Sequence, residues 1–190
     1  MSIYARKYKP SKWEPIVFAD KLDDMFTDFA ARDFGIKNMN RLVRSQYVTH
    51  RFNDDDYAFY FAILNEHKRH VRENVNLLTR HVRLANVYPT TQQDVEERIN
   101  HQSQAIFACV LLSKELKQIA RRFDVDLNKF EVFQDGIDRE IKLIKRWKQR
   151  DSRLARQIKQ QRKHMIELFE RLFNKQVRIH KHKMIITETA

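Results

Sequence analysis

Cationic side chains recur three and four residues apart in the C-terminal third of the chain, at Arg139, Lys142, Arg146, Arg150 and Arg153. An α-helix places residues at these spacings on one face. Such a row suits phosphate binding, because each contact neutralises a phosphate and releases its counterions. The row is broadened by Lys145, Lys148, Arg156, Lys159, Arg162 and Lys163. We name these eleven residues the cation row, and the spacing predicts that they bind nucleic acid.

The distribution of charge supports a polyanionic partner. The net charge is +12, of which residues 1–138 contribute +1 and residues 139–190 contribute +11. An ordinary solvated surface mixes both signs, which describes the first part of the chain and not the second. An anionic membrane surface is the weaker alternative, because it requires an exposed apolar face that we expect to be packed inside a bundle.

The histidines raise the question of a metal site. His67 and His70 share a helix face, and His180 and His182 alternate near the C-terminus. Neither pair has an evident third ligand, and the chain has one cysteine, Cys109, and no His-Glu-x-x-His spacing. With only two glycines, it also lacks the glycine-rich loops of nucleotide-binding enzymes. We therefore expect no metal, no cofactor and no catalysis.

One class of enzyme remains as an alternative. Small helical RNases use an arginine and a histidine a few residues apart on a helix, and Arg44 with His50 has that arrangement. The histidine would act as a general acid and base, and the arginine would stabilise charge on the phosphate. A short spacing of this kind arises easily by chance in a chain rich in both residues.

Long helices are predicted, because two glycines and three prolines leave few tight turns. The first long helix begins after the polar run at 53–56, which can cap it, and ends near Asn86, with apolar residues recurring every seven positions. Pro89 breaks the chain, and a second helix follows from Thr91 to Phe123, antiparallel to the first. A third starts near Asp126 or Asn128. Asp151 and Ser152 could open a fourth, or the third could continue.

Several aromatic residues could either fill the core or stack on bases. The register of Tyr57, Phe59, Tyr60 and Phe61 predicts that they are mostly core, and Trp147 falls at the edge of the buried stripe.

The fold class predicted is all-α, an antiparallel, up-down four-helix bundle with an N-terminal helical extension. Residues 1–53 would supply a basic-aromatic arm and a short helix that packs on the bundle. Residues 54–175 would form the bundle, and residues 176–190 a tail. The chain shows no apolar segment of signal-peptide or transmembrane length, so we expect it to be cytoplasmic.

Several stretches resemble one known family as a set. They are Asn86-Val87-Tyr88-Pro89-Thr90-Thr91, Gln104-Ala105-Ile106 with Cys109, Val125-Asp126-Leu127-Asn128-Lys129-Phe130, and Ile137-Asp138-Arg139-Glu140-Ile141-Lys142-Leu143-Ile144-Lys145-Arg146-Trp147. The set, about a third of the chain, resembles helical accessory proteins of reverse transcriptases, among them the accessory variability determinants of diversity-generating retroelements.

The resemblance implies a basic homo-oligomeric bundle that binds a reverse transcriptase and its template RNA during mutagenic complementary-DNA synthesis. Polymerisation would belong to the partner, and Arg139, Lys142, Lys145 and Arg146 would contact RNA or polymerase. The alternatives to this non-catalytic RNA-binding role are the RNase described above and a nucleic-acid-associated phage structural protein.

Overall fold

The computed structural model describes residues 13–36, 54–91, 94–123 and 125–188. These residues form four helices: α1 (Glu14–Ala31), α2 (Asp54–Val87), α3 (Val95–Arg122) and α4 (Glu131–Glu188). Short 3-10 turns, Asp33–Gly35 and Leu127–Phe130, follow α1 and precede α4. No β-strand occurs within these ranges, so the all-α prediction is confirmed.

The helices pack in an up-down order. In each neighbouring pair, residues early in one helix contact residues late in the other, which is the mark of an antiparallel pair. The contacts that show it are Asp20 with Arg83, His67 with Glu115, His81 with His101, Ser113 with Gln134, Trp13 with Trp147, and Phe29 with Phe130. Short connections between long helices favour this arrangement.

The hydrophobic seams of α2 and α3 form the centre of the core, as their spacing predicts. Leu64, Val71, Leu78 and Ala85, each seven residues apart on α2, are all buried. The buried residues of α3 include Gln102, Cys109, Leu112, Leu116 and Ile119. Both sets recur at the helical period, so each helix turns one continuous apolar side to its neighbours.

The N-terminal helix is a full member of the bundle rather than an extension beside it. Leu22 and Phe26 of α1 are fully buried, and the Phe29 ring stacks on Phe133 of α4 with centroids 4.0 Å apart. Gly136 of α4 allows the close approach of α1, since a Cβ there would lie 2.8 Å from Leu22 Cδ2. The fourth packed helix is therefore α1.

A fourth helix opening at Asp151 does not form, because α4 continues through this point to Glu188. Asp151 is the last fully buried residue of α4 among those whose side chains are described, which extend to Lys175. Beyond Asp151 the burial of α4 declines: Leu154 and Ile158 are half-buried, and every described residue from Lys159 onward is exposed, so α4 projects from the bundle. We call residues 152–175 the projecting segment.

Two predictions about aromatic residues have opposite outcomes. Trp147 is core, only 3% exposed and edge-on to Trp13 at 5.8 Å. Phe59 is 62% exposed and Phe61 is also exposed, so the expectation that they belong to the core is wrong. They lie in the first turns of α2, at the level where the antiparallel neighbour α3 ends at Arg122, so none of the described helices covers them.

Candidate nucleic-acid interface

All eleven residues of the cation row lie on α4. Ten are exposed and Lys148 is half-buried, while Ile137 and Ile144 on the opposite side are fully buried. The bundle therefore holds the first part of the row in place from behind. In the projecting segment the row continues past the half-buried Leu154 and Ile158, and every described residue from Lys159 to Lys175 is exposed.

Two members of the row are engaged by contacts with the bundle. Arg139 Nη2 lies 3.4 Å from Glu14 Oε1, and its guanidinium lies over the Phe18 ring. Arg150 Nε lies 3.7 Å from Asp151 Oδ1, and its guanidinium lies 5.0 Å from the centre of the Trp13 ring. These arginines help to hold α1 against α4, which leaves them less available to a ligand.

The other nine cations have no ion-pair partner within the described ranges. They are Lys142, Lys145, Arg146, Lys148, Arg153, Arg156, Lys159, Arg162 and Lys163. No described carboxylate masks them, so their charge is directed to solvent. A surface of this kind attracts polyanions over a distance of about 8 to 10 Å at physiological salt.

A buried polar cluster fixes the point where α4 leaves the bundle. Asp151 Oδ2 accepts hydrogen bonds from Arg98 Nε and Gln102 Nε2 of α3, both at 2.6 Å. Arg98 also donates to the Tyr88 backbone carbonyl at 2.8 Å, and its guanidinium lies over the Trp147 ring. The end of α2, the start of α3 and α4 are thereby joined, so the direction of the projecting segment is set by the bundle.

Beside this cluster, a groove of about 750 Å³ opens between the start of α3 and α4. Val95 and Glu96 form one wall, and Arg156, Lys159 and Arg162 contribute three cations to the other. The first turn of a helix carries partial positive charge, which Glu96 partly offsets. The volume is in the range of small-ligand sites, so the groove can admit a phosphate with its attached nucleoside.

The projecting segment also exposes an apolar side. Its large hydrophobic residues recur at helical spacing, and Phe169 is 69% exposed. The set comprises Met165, Ile166, Leu168, Phe169, Leu172 and Phe173. The expectation that the apolar side of this basic helix is covered by the bundle is therefore wrong from Met165 onward, whereas Leu154 and Ile158 are half-buried. The segment is amphipathic, with both its cationic and its apolar sides open.

In the fold, a third polar residue lies beside His67 and His70, which the sequence places on one helix face. Glu115 of α3 faces both histidines, with its Oε1 2.5 Å from His67 Nδ1 and 3.3 Å from His70 Nδ1. Sequence reasoning missed Glu115, although its place in the apolar stripe between Leu112 and Leu116 was a signal. An acidic residue at a seam position needs a partner on the facing helix.

Other predicted residues fall outside the described part of the chain. Arg44 and His50 of the RNase alternative, and the basic-aromatic arm at 4–9, are among them. The side chains of His180 and His182 are likewise not among those described. None of the described helices has an apolar stretch long enough to cross a bilayer.

Comparison with protein-family models, with curated proteins and with solved structures found no match to this chain.

Proposed function

We propose that the chain is a non-catalytic RNA-binding protein, and that α4 is its binding surface. The observation that carries the proposal is the set of nine cations without a described ion-pair partner, of which eight are exposed and Lys148 is half-buried. The set continues from the bundle onto the projecting segment. A rigid helix spaces these charges regularly, so several phosphates can be contacted at once without ordering flexible side chains on a loop.

The narrower form of the proposal adds a protein partner. The stretches that resemble reverse-transcriptase accessory proteins support a role in a diversity-generating retroelement, where the chain would hold template RNA for the polymerase. Co-expression with a candidate reverse transcriptase and its RNA tests this form. If RNA co-purifies with the chain and the reverse transcriptase does not, the result supports RNA binding and refutes the partnership with a reverse transcriptase.

Charge reversal on the projecting segment tests RNA binding. The test variant replaces Arg153, Arg156, Lys159 and Arg162 with glutamate. The control makes the same change in charge at four exposed cations on α2 and α3, namely Arg72, Arg80, Lys114 and Lys117. Binding to a labelled single-stranded RNA is measured at several salt concentrations.

The salt dependence gives the expected result a magnitude. Each phosphate contact on a single strand contributes a slope of about −0.7 to log K against log salt. Loss of four contacts should reduce the magnitude of the slope by about 3 in the test variant. The control should keep the slope of the wild-type protein, and equal slopes for all three proteins would refute the proposal.

An anionic lipid surface is the second candidate, favoured by the exposed apolar side of the projecting segment. Basic helices with phenylalanine and leucine on the opposite side bind at the headgroup level of bilayers. Replacing Phe169 and Phe173 with serine should abolish binding to phosphatidylserine-containing vesicles if this candidate is correct. RNA binding by the cation row should survive the same change.

Self-association is a further element of the proposal, because the apolar side needs cover in water. An antiparallel pair of projecting segments centred near Met165 would bring Glu167 of one copy toward Lys163 of the other. Parallel pairing would instead align like charges. Sedimentation of the wild-type protein and of Leu172→Glu tests this: the wild type should be a dimer or larger and the variant a monomer.

The two remaining alternatives make distinct predictions. The RNase alternative predicts RNA cleavage that disappears in His50→Ala while binding persists. A phage structural role predicts assembly in the absence of nucleic acid. We expect the purified chain to bind RNA without cutting it and to form no large assemblies alone.

A further inference from the structure

Two histidines and a glutamate converge between α2 and α3, away from the cation row. His67 and His70 are one turn apart on α2, and Glu115 faces them from α3. One nitrogen from each histidine and one carboxylate oxygen lie within 4.8 Å of one another. All three residues stand on packed helices, which hold the donor atoms in place without a loop.

We propose that His67, His70 and Glu115 bind a divalent transition-metal ion of the class to which Zn²⁺ belongs. Two imidazoles and one carboxylate form a known class of zinc ligand set, in which the fourth coordination position holds water or another exchangeable ligand. This site is independent of the proposed RNA surface.

The distances fit such an ion with a small adjustment. Tetrahedral zinc with ligand bonds of about 2.0 to 2.1 Å places neighbouring ligand atoms about 3.3 Å apart. His70 Nδ1 is 3.3 Å from Glu115 Oε1. His67 Nδ1 is 2.5 Å from the same oxygen, a hydrogen bond in which a proton lies between the two atoms. Metal binding would replace this proton and widen the contact by less than about 1 Å.

The surroundings keep the carboxylate charged and leave a path to solvent. Burial raises the pKa of Glu115, but the hydrogen bonds and charges of His67 and His70 outweigh it, so the pKa lies below its ordinary value. The carboxylate is then available as a ligand at neutral pH. His67 and Glu115 are buried, whereas the His70 side chain is 37% exposed and forms the entrance.

The second nitrogen of each imidazole faces an arginine. His70 Nε2 lies 3.1 Å from Arg69 Nη2, with the Glu66 carboxylate farther away at 3.6 Å. His67 Nε2 lies 3.4 Å from Arg122 Nη1, and an arginine can only donate. A metal on Nδ1 would place a proton on Nε2, so both arginines oppose metal binding and must turn away; at His70 the Glu66 carboxylate can then accept that proton.

A second histidine pair in the same helices provides a matched control. His81 and His101 have their Nδ1 atoms 3.0 Å apart, and the Tyr88 ring stacks on His101. Within the described residues no carboxylate joins this pair to complete a group of three ligands. Burial, together with the neighbouring His101 and Arg80, lowers the pKa of His81, so the pair is suited to an uncharged hydrogen bond.

The experiment uses full-length protein without an affinity tag, treated with a chelator and then titrated with Co²⁺ as a spectroscopic probe and Zn²⁺ as competitor. The wild-type protein should take up one Co²⁺ per chain with the intense visible bands of four-coordinate cobalt, and Zn²⁺ should displace it. His70→Gln should weaken Co²⁺ binding by more than about 100-fold, because changing a residue that only hydrogen-bonds to a metal ligand already costs up to about 100-fold in metal affinity. His81→Gln should bind like the wild-type protein.

Two further measurements separate metal binding from folding. Zn²⁺ should raise the thermal midpoint of the wild-type protein and of His81→Gln but not of His70→Gln, whose helicity is checked by circular dichroism. Arg122→Gln should bind Co²⁺ more tightly than the wild-type protein. Absence of the cobalt bands in the wild-type protein, or equal affinity in His70→Gln, would overturn the proposal.

Discussion

Glu140 of α4 should make the fold less stable as the pH rises, because its carboxyl is enclosed in the core. It is fully buried, and neither oxygen has a hydrogen-bond partner within the described part of the chain. Burial, helped by the carboxylates of Glu14 and Asp20 and opposed by Arg139, raises its pKa to about 8. Folded protein therefore keeps this proton at neutral pH, and unfolded protein releases it near pH 4.5.

The sign and size of the effect follow from proton binding. Between these two pKa values the folded state binds more protons than the unfolded state, so stability falls with rising pH. The contribution is fully present below pH 4.5 and is lost as the pH rises through about 8. At about 1.4 kcal/mol per pKa unit, the loss from this carboxyl between about pH 5 and pH 8 is about 3 to 4 kcal/mol.

Urea unfolding of the wild-type protein and Glu140→Gln at these two pH values measures the effect. Glutamine cannot ionise, so the variant should gain about 3 to 4 kcal/mol relative to the wild-type protein on passing from the lower to the higher pH. The control, Asp138→Asn, alters an exposed carboxyl on the same helix and should show no such gain. An equal difference between wild type and Glu140→Gln at both values would refute the reasoning.

Three further predictions concern packing and the end of the bundle. Gly136→Ala should destabilise the protein by about 1 to 3 kcal/mol despite a better helix propensity, since the new Cβ meets the fully buried Leu22; thermal unfolding measures this. Arg98→Met should cost about 3 to 5 kcal/mol in urea unfolding, because it removes the cation paired with buried Asp151. Removing residues 153–190 should leave the thermal midpoint nearly unchanged, because the described core lies before that point, and should weaken RNA binding, because five of the nine unpaired cations are lost; a collapsed midpoint would contradict this.

The seams of α2 and α3 could be predicted from the sequence. Apolar residues that repeat every seven positions form one face of each helix, and two such helices with a short connection pack these faces together as an antiparallel pair. The exposure of the cation row was also predictable, since charged groups at these spacings cannot all face a core. Asp126 or Asn128 was predicted as a cap, and the Asp126 carboxylate accepts from the Asn128 backbone N–H at 3.0 Å, which caps the 3-10 turn before α4.

Other features depend on partners far away in the sequence. Asp151 with Ser152 has the composition of a helix start, yet the Asp151 carboxylate faces Arg98 and Gln102, about fifty residues earlier, and the helix continues. The apolar spacing after Asp151 is the same whether or not another helix covers it, so exposure could not be read from the pattern. Glu115 was missed for the same reason, since its histidine partners lie on a different helix.

Because α4 is one continuous helix, the angular position of its far residues about the helix axis is fixed relative to the bundle. Its 58 residues span about 87 Å, and the sequence after Gly136 contains no glycine or proline at which a helix would usually kink. Deleting one residue just beyond Asp151 would rotate the rest of α4 by about 100° about the helix axis. Deleting seven residues would bring the rest of α4 about 10 Å closer to the bundle and leave its angular position nearly unchanged. Any ligand bound near the end of α4 would therefore be held at a fixed angle about the helix axis relative to the bundle.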